Sequence, residues 1–155
     1  MKSDTLCPCI SGLEYKNCCA PLHKGEITAH NAEQLMRSRY SAFVLENVDY
    51  LISTLHPDKR KPDDEIVLKQ TITETDWLGL QIIEHRSQQT TASVEFIAFY
   101  QEAKIEQLHE QSNFIKLDKQ WFYVDGKFLP ATKVSRNQAC FCGSGNKFKH
   151  CHGRN

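Results

Sequence analysis

The first regular pattern of apolar residues begins after Asn31 and has a helical period. Asn31 can cap a helix, with Gln34 three residues later as in a capping box. The apolar side chains that follow at helical spacing are Leu35, Met36, Tyr40, Phe43 and Val44. A second helix is predicted over 48–55, and it ends before Pro57 because proline biases the preceding residue away from the α region. Residues 63–73 are predicted to form a third helix.

After residue 75 the pattern changes to the two-residue period of β-strands. Residues 77–84 predict one strand, and 92–100 predict another with apolar side chains on both faces, which indicates that both faces are covered. The apolar segments 114–117 and 121–124 flank a three-residue loop and predict a hairpin. Helices followed by antiparallel strands are typical of an α+β domain, here over 30–130, with helices on one face of a curved sheet.

The seven cysteines of the chain lie only near its two ends, in two clusters that share the spacing C-x-C-x8-C-[C/H]. The two candidate ligand sets are Cys7, Cys9, Cys18 and Cys19, and Cys140, Cys142, Cys151 and His152. Four Cys or His ligands are typical of structural zinc sites. Exchange of Cys for His at the fourth position suits a metal ligand but not a disulfide. We therefore expect two zinc ions; iron also accepts thiolate-rich sites, and free or redox-active thiols are the alternative.

The two clusters also match outside the ligands when they are aligned without gaps. The matched pairs are Ser11 with Ser144, Gly12 with Gly145, Tyr15 with Phe148, and Lys16 with Lys149. A Ser-Gly pair suits a tight turn in which glycine takes a positive φ, and the lysines could offset the negative charge of the thiolates. His23 and His150 are competing ligands, but the repeat selects Cys19 and His152.

Charge is distributed unevenly along a chain whose formal net charge is zero. Residues 1–125 hold 13 Lys and Arg against 19 Asp and Glu, a net charge of −6, whereas residues 126–155 hold six basic residues and no acid, +6. A basic tail attracts nucleic acid, anionic lipid or an acidic protein face, or it simply balances the acidic body and the thiolates. No apolar run is long enough to span a membrane. No apolar stretch follows residues 1–4, so we expect a cytoplasmic protein.

Both clusters resemble the SEC-C motif, named for the metal-binding tail of the secretion ATPase SecA. The C-terminal copy, CFCGSGNKFKHCHG, is especially similar. In SecA this tail is a docking element for partners that include a chaperone and phospholipid. The resemblance therefore implies binding rather than catalysis for the two modules.

The whole chain resembles the bacterial YchJ family, in which SEC-C modules flank a centre like nuclear transport factor 2 (NTF2). The resembling segments are LMRSRYSAF (35–43), TLHPDKR (54–60), DWLGLQI (76–82), VEFIAFY (94–100) and LHEQSNF through WFYVDG (108–126). The resemblance implies zinc modules at 4–24 and 138–154 around an NTF2-like domain at 30–130. That domain is a cone of helices and bent sheet with a cavity inside. The resemblance implies a fold and a metal but no particular reaction.

Nine side chains of the central domain are candidates for the cavity. They are Arg37, Arg39, Tyr40, His56, Trp77, His109, Glu110, Trp121 and Tyr123. His109 and Glu110 are adjacent on a strand and should point to opposite faces, so they are not expected to form a catalytic dyad. The chain has no glycine-rich phosphate loop, nucleophile elbow or HExxH motif. Both metal sets have four ligands, whereas a catalytic zinc keeps one position open.

These observations favour a zinc-binding protein that docks on another protein. The expected partner surface is the basic C-terminal module, with Lys147, Lys149 and Arg154, which follows a segment at 130–133 without apolar periodicity and could project from the body. The N-terminal module is expected to pack on the body as a clip. One alternative is an enzyme or small-molecule binder that uses the cavity. Another is nucleic-acid binding through the basic tail, although that tail has few aromatic residues for base stacking.

Overall fold

The computed structural model describes residues 5–154. Its helices are α1 (Ala20–His23), α2 (Ala32–Val44), α3 (Val48–Ser53) and α4 (Asp64–Glu74), with short 3-10 turns at Tyr15–Asn17, Pro57–Lys59 and Phe148–His150. The predicted cap of α2 is present, because the side chain of Asn31 accepts a hydrogen bond from the backbone N–H of Gln34 at 2.8 Å. The Gln34 side chain accepts from the N–H of His30 instead of that of Asn31, at 2.6 Å.

Four antiparallel strands form one sheet in the order β1-β2-β3-β4. They are β1 (Asp76–Ser87), β2 (Thr91–Gln101), β3 (Ile105–Leu117) and β4 (Gln120–Phe128). Irregularities in register on β1 and between β3 and β4 bend the sheet. The predicted hairpin is present with a two-residue turn, Asp118 and Lys119, both at positive φ as a type I′ turn requires.

The main core lies between α2 and the inner face of the sheet. Leu35 on α2, Val94 on β2 and Phe114 on β3 are almost completely buried there. The end of α3 is attached to β4, because the backbone N–H of His56 donates to the Tyr123 carbonyl at 2.8 Å and that of Tyr123 donates to the Thr54 carbonyl at 2.9 Å. The predicted α+β class, with helices on one face of a curved antiparallel sheet, is confirmed.

The outer face of β2 is also covered. Ile97 and Phe99 are buried in a second, smaller cluster with Cys140 and Phe141 of the C-terminal module. The prediction that 92–100 is covered on both faces is therefore confirmed. The expectation that this module projects from the body is wrong, because its aromatic side chain fills the outer face of the sheet.

The three predicted domain boundaries stay predictions, and residue 4, where the first module was predicted to begin, lies outside the described residues. Across residues 5–154, no helix combines the length and apolarity needed to cross a membrane.

Candidate metal centres and the central cavity

The N-terminal cluster brings four sulfur atoms together. Those of Cys7, Cys9, Cys18 and Cys19 lie within 4.8 Å of one another. The Cys9–Cys18 and Cys18–Cys19 sulfur distances are 3.6 and 3.9 Å. A tetrahedral ion with metal–sulfur bonds of about 2.3 Å requires sulfur–sulfur edges of about 3.8 Å. This donor set therefore fits a four-coordinate metal ion.

The C-terminal cluster brings three sulfur atoms and one imidazole nitrogen within the same 4.8 Å limit. Nδ1 of His152 lies 3.2 Å from the sulfur of Cys140 and 3.5 Å from that of Cys151. The sulfur atoms of Cys142 and Cys151 are 3.7 Å apart. A tetrahedral zinc would place nitrogen and sulfur about 3.6 Å apart. His152 is thus positioned to bind through Nδ1.

His23, the competing histidine of the N-terminal module, uses both ring nitrogens in hydrogen bonds to other residues. Nε2 of His23 lies 2.8 Å from the Ser38 carbonyl, which can only accept, so Nε2 carries the proton. Nδ1 then accepts from the Tyr15 hydroxyl at 2.7 Å. Burial lowers the pKa of His23, consistent with a neutral ring. At the other end, His150 is exposed and is not part of the ligand cluster.

The matched Ser-Gly pairs have the same role in both modules. The hydroxyl of Ser11 lies 3.2 Å from the sulfur of Cys18, and that of Ser144 lies 3.5 Å from the sulfur of Cys151. Each serine oxygen also accepts a backbone N–H from two residues later, at 3.2 Å. Each following glycine has φ near +84°. The predicted turn is confirmed, and its serine hydroxyl is within hydrogen-bond distance of the third cysteine in both modules.

In each cluster, the pKa of one thiol depends on hydrogen bonds from neighbouring thiols. The pKa of Cys9 is lowered to about 2, chiefly because the Cys19 thiol hydrogen-bonds its thiolate. The pKa of Cys19 is raised, chiefly by Cys7. Burial raises the pKa of Cys142, but hydrogen bonds from Ser144 and the neighbouring thiols lower it more. Without a cation the sulfurs must share protons, and a divalent cation can take the place of those protons.

Helix α2 fastens the N-terminal module to the body. Nη1 of Arg37 donates to the Cys9 carbonyl at 2.8 Å. The Ser41 hydroxyl, one turn later, lies 3.2 Å from Nε2 of His23 at the end of that module. The Ser38 carbonyl accepts from His23. Ser38 and Ser41 were not among the predicted contact residues, although polar residues within the apolar run of α2 are a signal for such contacts.

The C-terminal module is held on the outer face of the sheet by a ring stack. The rings of Phe141 and Phe99 are 3.8 Å apart at an interplanar angle of 6°. A Cβ atom at Gly79 would lie 2.7 Å from the carbonyl carbon of Phe141, so only glycine permits this approach. Phe148, matched to Tyr15 in the repeat, packs against Phe141 with ring centroids 5.9 Å apart.

The segment that leads into this module is also attached to the sheet. Nδ1 of His109 lies 2.7 Å from the Pro130 carbonyl, and Nε2 lies 2.8 Å from Glu95. The side chain of Gln107 exchanges two hydrogen bonds with the backbone of Thr132, at 2.7 and 2.9 Å. Segment 129–132 therefore lies along β3.

The two modules contact each other. A Cβ atom at Gly143 would lie 3.1 Å from Cγ2 of Ile10. These two residues occupy the same position of the repeat, and both have positive φ, 80° and 64°. The two candidate metal centres thus belong to neighbouring modules.

A cavity of about 320 Å³ lies between α2, α4 and the inner face of the sheet. Five of the nine candidate residues line it: Arg39, Tyr40, Trp77, Glu110 and Tyr123. The other four lie elsewhere. Arg37 contacts the N-terminal module, and His56 accepts from the N–H of Asp58 to cap a 3-10 turn. His109 lies on the opposite face of β3 from Glu110, and Trp121 lines a separate groove beside α3.

Comparison with known proteins places each part of this architecture. Residues 31–126 match the family model of the YchJ middle NTF2-like domain. Residues 5–21 and 136–154 match the SEC-C motif. The chain is 45% identical over 152 residues to a UPF0225 protein of Actinobacillus succinogenes, which covers 96% of both chains. It is 42% identical over 156 residues to a UPF0225 protein of Photorhabdus laumondii, which covers 96% of this chain and 98% of that one.

Two solved structures share the fold. A crystal structure of a SEC-C motif containing protein from Psychrobacter arcticus matches with a TM-score of 0.71 and 34% identity, covering 97% of both chains. A solution structure of a SEC-C motif containing protein from Rhodopseudomonas palustris matches with a TM-score of 0.73 and 33% identity, covering 77% of this chain and 95% of that one. With its NTF2-like centre and a SEC-C motif at each end, the chain belongs to the YchJ family of UPF0225 proteins.

Proposed function

We propose that this chain is a zinc-binding protein that docks on an acidic surface of another protein through its C-terminal SEC-C module. The observation that carries the proposal is the orientation of that module. Its Phe141 side faces the sheet, while Lys147 and Arg154 are exposed and Lys149 is half-buried. With no Asp or Glu between residues 126 and 155, all the charged side chains that the module exposes are basic.

Zinc is the metal that best suits the two donor sets. Four thiolates, and three thiolates with one imidazole, are the common ligands of structural zinc. Four protein ligands leave no open position for a substrate, which supports a structural role over hydrolysis. Iron is the alternative that thiolate ligation allows, and elemental analysis of protein purified without added metal distinguishes the two. Reduced cysteine ligands also favour a cytoplasmic location.

The N-terminal module has a different role in this proposal. Its contacts with Arg37, Ser38 and Ser41 on α2 make it a clip on the body. It also carries Glu14 beside Lys16, 3.3 Å apart, and so lacks the basic excess of the other module. The docking surface is therefore assigned to the C-terminal module.

Nucleic-acid binding through the same tail is less well supported. Binding of single strands uses exposed aromatic rings as stacking platforms. Phe141 and Phe148 are engaged in packing, which leaves Phe128, 76% exposed, as the exposed aromatic side chain of the described tail. One ring supports base stacking less well than a face whose charges are all basic supports binding to an acidic protein.

The experiment is capture of partners by immobilised, metal-loaded full-length protein, followed by affinity measurement with each purified partner. The triple variant Lys147→Glu, Lys149→Glu, Arg154→Glu should bind about tenfold more weakly or worse, since it reverses the charge of the docking face. Wild-type affinity should fall with salt, because exposed charges are screened beyond about 8 Å at physiological ionic strength. The Cys140→Ser, Cys142→Ser variant should lose the partner altogether.

The matched control is Lys59→Glu, Lys61→Glu, Lys104→Glu, which changes net charge equally at exposed positions of the body. It should retain binding. Equal weakening by both triple variants would mean that only net charge matters. The proposal is overturned if the Lys147→Glu, Lys149→Glu, Arg154→Glu variant keeps both metals and still binds the partner as tightly as the wild-type protein.

A further inference from the structure

The central cavity has the size and composition of a small-molecule site. Its volume of about 320 Å³ is at the lower end of the range of roughly 300–1,000 Å³ for ligand pockets. Apolar side chains form most of its wall: Met36, Phe43, Leu51, Leu68, Trp77, Phe96, Ala98 and Leu108. Val67 on α4 lines the cavity and is also 50% exposed, so the cavity reaches solvent beside α4.

A buried guanidinium lies in this wall with unused hydrogen-bonding capacity. Arg39 is 9% exposed, and its Nη1 donates to the Leu51 carbonyl at 2.8 Å and to the Thr54 hydroxyl at 2.6 Å. Its guanidinium carbon lies 4.7 Å from the ring centroid of Tyr123. Both of these bonds come from Nη1, and within residues 5–154 no group accepts from Nε or Nη2, which remain able to donate to a ligand. Burial lowers the pKa of Arg39 to about 10, so the guanidinium is charged at neutral pH.

A buried carboxylate lies in the same wall. Glu110 is 9% exposed, and its Oε1 accepts from the Tyr123 hydroxyl at 2.8 Å and from Ser112 at 3.1 Å. In the part of the chain that the structure describes, Oε2 has no partner, and Glu110 makes no ion pair with Arg39. Tyr123 lies between them, with its ring under the guanidinium and its hydroxyl on the carboxylate. The cavity thus presents a cationic donor and an anionic acceptor that do not neutralise each other by contact.

We propose that the cavity binds a small, uncharged, mainly aromatic or aliphatic molecule whose polar head accepts a hydrogen bond from Arg39 and donates one to Glu110, as a primary carboxamide does. Asp64 of α4 also lines the cavity, but it is half-exposed and accepts the backbone N–H of Lys61 at 2.7 Å, so solvent screens its charge. Arg39 and Glu110, each 9% exposed, carry no net charge as a pair, which disfavours charged ligands. A carboxylate head is attracted to Arg39 but repelled by Glu110. A cationic head is attracted to Glu110 but repelled by Arg39. Both interactions are strong because the site is poorly hydrated. A neutral dipole satisfies both groups. The proposal does not depend on the docking function, because none of these residues belongs to either metal module.

The test uses three probes with one ring system and three head groups: 2-naphthamide, 2-naphthoate and 2-naphthamidine. Binding to the full-length, metal-loaded protein is followed by calorimetry and by the indole N–H resonances of its two tryptophans. Trp77 lines the cavity and Trp121 does not, so the first resonance should shift and the second should stay. The neutral amide should bind about tenfold more tightly than either charged probe, which corresponds to about 1.4 kcal/mol.

The variant Glu110→Gln should reverse this preference, because it keeps an acceptor for Tyr123 and Ser112 but leaves the charge of Arg39 unbalanced. Naphthoate should then bind more tightly than naphthamide. Glu102→Gln, an equal charge change at an exposed loop position, should leave the wild-type order intact. The proposal is overturned if none of the probes binds the wild-type protein at millimolar concentration. It is also overturned if a charged probe binds the wild-type protein as tightly as the amide, or if Trp121 shifts instead of Trp77.

Discussion

At the scale of single residues, side-chain direction decides which of several similar groups reaches a metal. His150 and His152 lie on either side of Cys151, and both are within reach by sequence spacing. His150 lies in a 3-10 turn and is exposed, whereas Nδ1 of His152 lies 3.2 Å from the sulfur of Cys140. The ring of His152 is also held against Phe141, with centroids 5.1 Å apart.

The two histidines make a matched pair of variants. His152→Ala should reduce the bound metal from two ions per chain to one at limiting zinc, because the fourth ligand of the C-terminal site is lost. His150→Ala should keep both ions. Native mass spectrometry of reconstituted protein gives the stoichiometry directly. Equal loss from both variants would show that the site accepts either imidazole.

At the scale of elements, one helix and one strand each serve two regions of the molecule. Helix α2 buries an apolar stripe in the core and presents Arg37, Ser38 and Ser41 to the N-terminal module. Strand β2 buries Val94 against the core and Phe99 against the C-terminal module. The connection after β4 is a further such element, because segment 129–132 is tied to β3 through His109 and Gln107.

The bond from His109 to the Pro130 carbonyl makes the attachment of this segment dependent on pH. Burial lowers the pKa of His109, but the Pro130 carbonyl and Glu95 raise it more, so the net shift is upward. Both acceptors are satisfied only when both ring nitrogens carry protons. A raised folded-state pKa stabilises the protein below the unfolded value of about 6.5, and that contribution is lost as pH rises through the folded value.

We therefore expect His109→Gln to lower the free energy of unfolding by about 1–2 kcal/mol at pH 6 and by less at pH 9, since bonds to a charged donor are the stronger kind. Denaturant unfolding of the metal-loaded protein at the two pH values measures the difference. His30→Gln, at an exposed position, is the control for replacing a histidine. A deficit in His109→Gln that is the same at both pH values would show that the ring acts by packing alone.

At the scale of the whole molecule, the metal modules and the central domain share surfaces. Each module has few apolar side chains of its own, so we expect metal binding to supply much of its folding free energy. The C-terminal module also covers Ile97 and Phe99, which would otherwise be an apolar patch on the sheet. Loss of metal should therefore expose Phe99 on the sheet as well as disorder the two ends of the chain.

Removal of metal with a chelator should increase amide exchange about tenfold or more in 5–19 and 136–154, while α2 and the four strands keep their protection. It should also produce a new binding site for a hydrophobic dye, because Phe99 becomes exposed. Hydrogen-exchange mass spectrometry and dye fluorescence measure the two effects. Restored zinc should reverse both. Uniform loss of protection across 30–130 would mean that the modules are integral to the core.

The sequence by itself determined those features that depend on residues close together in the chain. The ligand spacing of both clusters, the Ser-Gly turns with φ near +84° and the cap at Asn31 are local, because a turn or a helix end involves only a few neighbouring residues. The two apolar faces of 92–100 were also visible, because alternation along a strand assigns each side chain to a face.

Only the tertiary structure decided what each surface meets. Arg37 and Arg39 are both polar interruptions of one helix, but two residues turn a helix by about 200°, so they point to nearly opposite sides. Which side holds the cavity depends on how α2 packs on the sheet. The position of the C-terminal module could not be predicted from the sequence either. The Phe99–Phe141 stack joins residues 42 apart in sequence, and no local pattern links them. Gly79 permits that contact by the absence of a side chain.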